Sequence, residues 1–297
     1  MSSNSKSYNS PFTPWLMLAP AILMVSGFIL YPAGNAIWLA FTSTNLLNIS
    51  AQKFVGFDNF KNIFSDPNFP VALSHSFIWV IGCVSMQLIF GTLGALILNQ
   101  KFKGRGFVRG LVLVPWATPS ILVSLMWAWM LDPSLGIINS LLHRFHLQGL
   151  PFNWLGNPNT ALPTLMTIDV WQGVPFFAVM ILAALQGVPG EVIEAAKVDG
   201  ANAWKTFWRV VLPIIAPAVA ITTILRMIWT ANYMDLILQL TNGGPINASL
   251  TMPLFSYQTG YKGFDFGKSA GIALIQALIL ATLVMVYVRQ LRKSEKN

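Results

Sequence analysis

Gly267-Lys268-Ser269 has the ending of a loop that wraps phosphate groups, and His143 and His146 have an i, i+3 spacing that can present two imidazoles to a metal. Neither pattern carries through. A phosphate loop needs a glycine five residues before its last one, and Lys262 stands there. The stretch also follows no apolar strand. The two histidines lack the glutamate of a zincin helix, and with His75 they share no ligand spacing with Cys83, the single cysteine. One cysteine cannot form a disulfide within the chain, so Cys83 reads as a small packing residue in an apolar run. No arrangement of Ser, His and Asp stands out, and an enzymatic reading has no positive support. Asp169 and Arg226 are of another kind: each lies in an apolar stretch, where a charge is costly unless it faces a partner or a cavity.

The elements that must hold these residues are set by composition. The chain is 55% hydrophobic and 9% charged over 297 residues, too apolar for an ordinary soluble globule. About 20 apolar residues, rising about 1.5 Å each, make one crossing of a hydrocarbon core about 30 Å thick. Such stretches recur at 16–41, 71–98, 107–131, 161–185, 210–228 and 269–288, predicting an all-α membrane protein with six transmembrane helices. The first is longer than a signal-peptide core and has no small-x-small cleavage site after it, so it is kept as a membrane helix. Residues 1–15 and 289–297 are left as terminal segments.

The net charge of +8 reads as topology, because the basic residues form short clusters beside apolar spans and no stripe interleaved with base-stacking aromatics. Nucleic acid is therefore no expected partner. Lys6, Lys101, Lys103, Arg105, Arg109, Lys197, Lys205, Arg209, Arg289, Arg292, Lys293 and Lys296 fall on one face, and only Lys53, Lys61, Arg144, Lys262 and Lys268 on the other. The excess marks the cytoplasmic side and puts both termini there. The longer connections, 42–70, 132–160 and 230–268, are then expected outside as ordered surface turns. Trp15, Trp127, Trp129 and Trp154 suit interfacial positions and core packing equally well.

The stretch from Glu191 to Val198 is made of good helix formers with acids in its first turn. Gly200 supplies a stop after Asp199, and a second piece at 202–211 carries Trp204, Phe207 and Trp208 at helical spacing. A short helix–turn–helix lying flat on the cytoplasmic face is expected, either as a docking surface or as an interfacial amphipathic helix with no partner.

Glu194-Ala195-Ala196, three residues, Gly200, nine residues, Val210, one residue and Leu212-Pro213 together resemble the EAA loop of binding-protein-dependent ABC importer permeases. Val210 stands where that family usually has isoleucine, a swap of similar volume. The segment 171–189 and the run Leu240-Thr241-Asn242-Gly243-Gly244-Pro245 look like the carbohydrate-uptake branch, and the latter is similar to the larger permease subunit type of maltose transporters. The resemblance implies a type I importer permease, multi-pass in a bacterial inner membrane, with a coupling helix in the loop at about 187–213. Glu194 would pair with a basic residue of a cytoplasmic ATPase, Ala195 and Ala196 would permit close approach, Gly200 would make the turn after Asp199, and Leu212-Pro213 would close the motif. The implied partners are a second permease subunit, two ABC ATPase subunits that bind the ATP and magnesium, a solute-binding protein and membrane lipid. No cofactor is expected in this chain. By the same similarity Gln172, Gly173, Phe176, Thr230, Asn232 and Tyr233 match positions that contact or border a sugar; amides and aromatics suit hydroxyl-rich rings, although buried polar groups also simply glue helices together. An ion-coupled secondary transporter would need more spans, internal repeats and intramembrane carboxylates. A non-catalytic membrane interaction protein is the other alternative.

Overall fold

A computed structural model of the protein describes residues 13–147 and 153–294; most of the N-terminal segment and the last three residues lie outside them. With no water to satisfy a bare backbone in hydrocarbon, apolar spans close their hydrogen bonds internally as helices. Apart from isolated bridges at Thr42–Phe54 and Asn45–Asp265, the described residues form helices, turns and loops.

Among the described residues five helices are long and apolar enough to cross a bilayer, six if a bent pair is taken as one span. The first runs over Pro14–Ala40, comprising α1 (Thr13–Val25), a π-turn (Ser26–Leu30) and α2 (Tyr31–Ala40). After α3 (Asp58–Phe64) comes α4 (Asn68–Asn99), then the pair α5 (Arg105–Ala117) and α6 (Ser120–Met130). The short α7 (Ile137–Arg144) precedes α8 (Pro158–Gln186), α9 (Gly190–Val198) and α10 (Ala203–Thr206). A π-turn at Phe207–Val211 leads into α11 (Leu212–Asn232), followed by α12 (Asp235–Leu240), α13 (Met252–Tyr257) and α14 (Phe266–Ser294).

Three expectations change. The third span is not one straight helix: α5 and α6 meet at 91°. Pro119 disfavours a helical conformation for the residue before it, and Thr118 (ψ 128°) and Pro119 (ψ 140°) are both extended. The second piece of the EAA-like loop does not lie flat. From α10 onward it is the end of one apolar helical stretch, Ala203–Leu240. A proline ring clashes with the carbonyl four residues earlier, which for Pro213 is that of Arg209, and the helix widens into its π-turn at that point and continues. Pro32 follows the first π-turn in the same way. The connection 230–268, lastly, is no surface turn. Leu236, Ile237, Leu250, Met252 and Leu254 are buried in it. Its backbone is tied to α4: the Ser76 hydroxyl accepts from the Met252 N–H (2.7 Å) and His75 Nδ1 lies 3.2 Å from the Leu250 carbonyl.

The core is the α4–α8 interface. Trp79, Cys83, Gln87, Gly91, Ala95 and Leu98 recur every three or four residues along one face of α4 and are buried. That face meets Leu165, Ile168, Asp169, Phe177, Ile181 and Leu185 of α8. Small residues let the axes approach where lipid offers no hydrophobic driving force. A Cβ built on Gly91 would run into the Phe177 side chain, whereas one on Gly94 would make an ordinary 3.4 Å contact with Ala178. The first helix does the opposite: none of its most apolar stretch is buried, and only its end, α2, packs on α14.

The glycine-lysine-serine stretch proves to be the start of α14. Asp265 Oδ1 accepts from the Lys268 N–H (2.9 Å), and Lys268 Nζ pairs with Asp66 Oδ2 at 2.7 Å, pinning α14 to the turn between α3 and α4. Burial pushes the Asp66 carboxyl up, but Lys268 and the Asn68 N–H pull it down further, leaving it below its ordinary 3.8. A depressed carboxylate stabilises the fold above its unfolded pKa and loses that contribution as pH falls through the folded one. The stability gap between wild type and Asp66→Asn, about 1 kcal/mol or less for such a pair, should be constant from pH 7 to about 5 and vanish only below about 3.8 in thermal unfolding scans. For the core, Gly91→Val should cost about 1–3 kcal/mol by overpacking while Gly94→Ala is tolerated, read as thermal midpoints in detergent.

Candidate functional site

The EAA-like stretch begins at Pro189, whose extended backbone (ψ 132°) turns the chain out of α8 into α9. Glu191 lies in the first turn of α9 and Lys197 in the last, each where the helix dipole favours its charge. The helix ends in a Schellman motif: the Ala201 N–H reaches the Ala196 carbonyl and the Gly200 N–H the Lys197 carbonyl, both at 3.0 Å. Gly200 has φ +77°, a left-handed conformation that only glycine adopts without strain. Asn202 then caps α10 by accepting from the Lys205 N–H (2.9 Å). The sharp turn predicted at Asp199-Gly200 is thus present in atomic detail.

Glu194, Ala195 and Val198 face outward, and Val198 is 88% exposed. Trp204 (70% exposed) packs at a tilt against Trp208, ring centroids 5.4 Å apart. Ala196 does not belong to that face. It is buried against its own bundle, so only Ala195 of the two alanines is available for close approach by a partner. Leu212 is half-buried and Pro213 exposed. Behind α9 an apolar cleft of about 250 Å³, lined by Leu96, Leu185, Val188, Ile193, Phe207 and Val211, separates it from the ends of α4 and α8.

Deeper in the bundle, Arg226 Nη2 pairs with Asp169 Oδ1 at 3.0 Å, and both side chains are nearly inaccessible. Gln87 completes the cluster: its Oε1 accepts from Arg226 Nε (2.7 Å) and its Nε2 donates to Asp169 Oδ2 (2.9 Å) and to the Asp169 backbone carbonyl (2.9 Å). Three helices, α4, α8 and α11, each contribute one member. Gly173 belongs here, since a Cβ on it would collide with the Gln87 amide and the Arg226 guanidinium. It makes room for the cluster.

One turn away, the Tyr233 hydroxyl donates to Gln172 Oε1 (2.9 Å), and Gln172 Nε2 donates to the Thr118 carbonyl at the α5–α6 break (3.3 Å). Phe176 packs between Trp116 (5.8 Å) and Trp229 (5.1 Å), both of which keep more than 40% of their surface exposed. Gln172, Tyr233 and Phe176 are therefore brought together beside two exposed indoles. Thr230 and Asn232 are not. Thr230 is buried, its carbonyl accepting from Trp79 Nε1 (3.1 Å), while Asn232 points to α14, where Gln276 Nε2 donates to its Oδ1 (3.5 Å). Trp116, Trp229 and Gln87 were missed by sequence reasoning. Gln87 had a signal: it is the one side-chain amide between Ser76 and Asn99 in an otherwise apolar span. The two tryptophans had none, because only the fold carries them to Phe176.

A bundle of bent apolar helices, with an exposed capped turn at one end and a buried charge cluster inside, defines a polytopic membrane transport component. The chain belongs to the family of binding-protein-dependent transport system inner membrane components, whose model matches residues 87–295. It is 33% identical to the trehalose/maltose transport system permease protein MalF of Thermococcus litoralis, over 93% of this chain and 92% of that protein. With the sulfoquinovosyl glycerol transport system permease protein SmoG of Agrobacterium fabrum it shares 30% identity, covering 94% and 90%. A subunit of a bacterial ABC transporter that imports the acidic polysaccharide alginate superposes with a TM-score of 0.82 at 23% identity, over 94% of this chain and 95% of that one, and shares the fold.

The charge cluster makes a direct prediction. Asp169→Asn should cost about 3–5 kcal/mol, because it leaves a guanidinium buried without its counter-charge. The double exchange Asp169→Arg, Arg226→Asp should recover part of that loss. Thermal midpoints of the purified protein decide it: equal loss in the exchange and in the single variants would show that the two charges do not support one another.

Proposed function

We propose that this chain is the transmembrane subunit of an ATP-driven importer that forms half of a pathway for a sugar or sugar-like solute. Relatives named for trehalose, maltose, sulfoquinovosyl glycerol and sn-glycerol-3-phosphate transport support the solute class. The observation that carries the mechanism is the exposed edge of α9, Glu194 with Ala195 and Val198, held rigid by Pro189 at one end and the Gly200 turn at the other.

In this reading the face bearing α9 is cytoplasmic, and both termini lie on it. Two ATPase subunits bind ATP and magnesium and grip the coupling helices, Glu194 meeting a basic residue at the contact. Their closure moves α9, and α8 and α11, locked together by Asp169, Arg226 and Gln87, carry the displacement into the membrane. The chain itself holds no reaction; it converts the movement of its partners into exposure of a pathway to one side or the other. A solute-binding protein delivers solute to the far side. Gln172 and Tyr233 can hydrogen-bond sugar hydroxyls, while Trp116, Phe176 and Trp229 offer faces for the apolar side of a pyranose ring. Because the two tryptophans are exposed on one side of a single chain, a second permease chain, here taken as a different one, is needed to close the path.

Two variants separate coupling from solute contact. Glu194→Lys should reduce co-purification of the ATPase subunits and solute uptake at least about ten-fold, as loss of a charge pair at an interface centre does. Trp229→Ala should leave co-purification intact and lower uptake through weaker solute binding. Undiminished uptake by the isolated chain without ATP would overturn the reading in favour of an ion-coupled carrier.

A further inference from the structure

The turn joining α4 to α5 holds four cations within nine residues: Lys101, Lys103, Arg105 and Arg109. One of them is used by the fold. Arg109 Nη2 donates to the Leu98 carbonyl (3.0 Å), capping the C-terminal turn of α4 and fixing α5 against it. Lys101, Lys103 and Arg105 have no ion pair or side-chain hydrogen bond among the described residues, although each has a long side chain able to reach a partner. With Phe102 they line an open cavity of about 550 Å³. Gly104, between them, holds a left-handed conformation (φ +81°), and the first turn of α5 begins directly after it.

The cavity lies at the end of a transmembrane helix, on the same side as α9, since Leu96 and Asn99 of that end face Ile193 and Lys197 across the apolar cleft. Orientation of a membrane protein requires only that cations gather on one side. It does not require three of them to border one open surface hollow without an ion pair in this chain. Like charges gathered on one short turn repel unless an anion joins them, and the anion present in bulk at the membrane surface is the phosphodiester of a lipid headgroup. Phe102, an exposed aromatic ring among the cations, suits the glycerol and upper acyl region of the same molecule.

We propose that Lys101, Lys103 and Arg105 form a binding site for the headgroup of an anionic phospholipid, with Phe102 against its glycerol backbone. The site requires only that the chain sits in a bilayer, and it stands or falls separately from the coupling role of Glu194. Each cation near an anionic headgroup contributes about a five-fold change in affinity at low ionic strength, so removing three amounts to about a hundred-fold.

The test uses the transporter purified with its co-expressed partner subunits in neutral detergent and titrated with dioctanoyl phosphatidylglycerol or dioctanoyl phosphatidylcholine, with bound lipid counted by native mass spectrometry. Wild type should retain phosphatidylglycerol and not phosphatidylcholine, and the combined variant Lys101→Gln, Lys103→Gln, Arg105→Gln should lose about two orders of magnitude of that affinity. The charge-conserving variant Lys101→Arg, Lys103→Arg, Arg105→Lys should keep it, and an unchanged thermal midpoint of the neutral variant guards against a fold defect. Equal retention of the two lipids, or retention of phosphatidylglycerol by the neutral variant, overturns the proposal. So does displacement of the lipid by inorganic phosphate at equal concentration, which would make the site one for free anions. Loss of the ATPase subunits from the neutral variant with lipid retention unchanged would assign the cluster to a protein contact and overturn it as well.

Discussion

Arg226 and Asp169 can be held inside a membrane protein only together. A lone guanidinium or carboxylate at that depth loses its hydration without compensation, whereas the pair at 3.0 Å, closed by Gln87, satisfies both charges with short hydrogen bonds. Because each of the three side chains comes from a different helix, the requirement is also geometric. It sets the rotation of α4, α8 and α11 about their axes and explains Gly173, where any side chain would displace the cluster. The face of α8 that remains after Asp169 and Gly173 are turned inward is the one that presents Gln172 toward Tyr233 and the α5–α6 break.

Around this fixed point the irregular features of the helices become intelligible. Two π-turns stand just before prolines whose rings would otherwise strike a carbonyl, so the apolar stretches run on where proline would have stopped them. At Thr118-Pro119 no such widening occurs, and the helix breaks at a right angle. That break frees the Thr118 carbonyl to accept from Gln172, so the interruption supplies an acceptor to the polar group of Gln172 and Tyr233. Irregular backbone in a membrane is tolerated where its polar groups find partners, and here the half-buried Thr118 has its carbonyl satisfied by Gln172.

The two ends of α8 divide the labour. Its middle is bound into the charge cluster, and its end leads through Pro189 into α9, with an apolar cleft between α9 and the helix ends. A force on α9 therefore acts on a short, capped lever attached to a packed bundle. The first helix is the counterpart: its most apolar stretch finds no cover among the described residues, as expected of one subunit from a larger assembly in lipid.

Helix class, five of the six expected crossings as single apolar helices and the turn at Asp199-Gly200 were legible in the sequence because each depends on local chemistry. Twenty apolar residues must become a helix in lipid, and Asp199-Gly200 after a helix-forming run must turn. Asp169 and Arg226 could be picked out as needing partners, since their cost arises from composition alone. The tertiary structure decided what depends on which faces meet. It joined Arg226 to Asp169 through Gln87, turned Ala196 inward, buried Thr230, packed Gly173 against the charge cluster, and set Trp116 and Trp229 around Phe176. It also showed that residues 203–211 extend a membrane helix instead of lying along the surface, because whether a proline ends a helix or is absorbed by a π-turn depends on packing along its whole length. Helix rotation and close approach are collective properties of the bundle, and a pattern read one segment at a time cannot contain them.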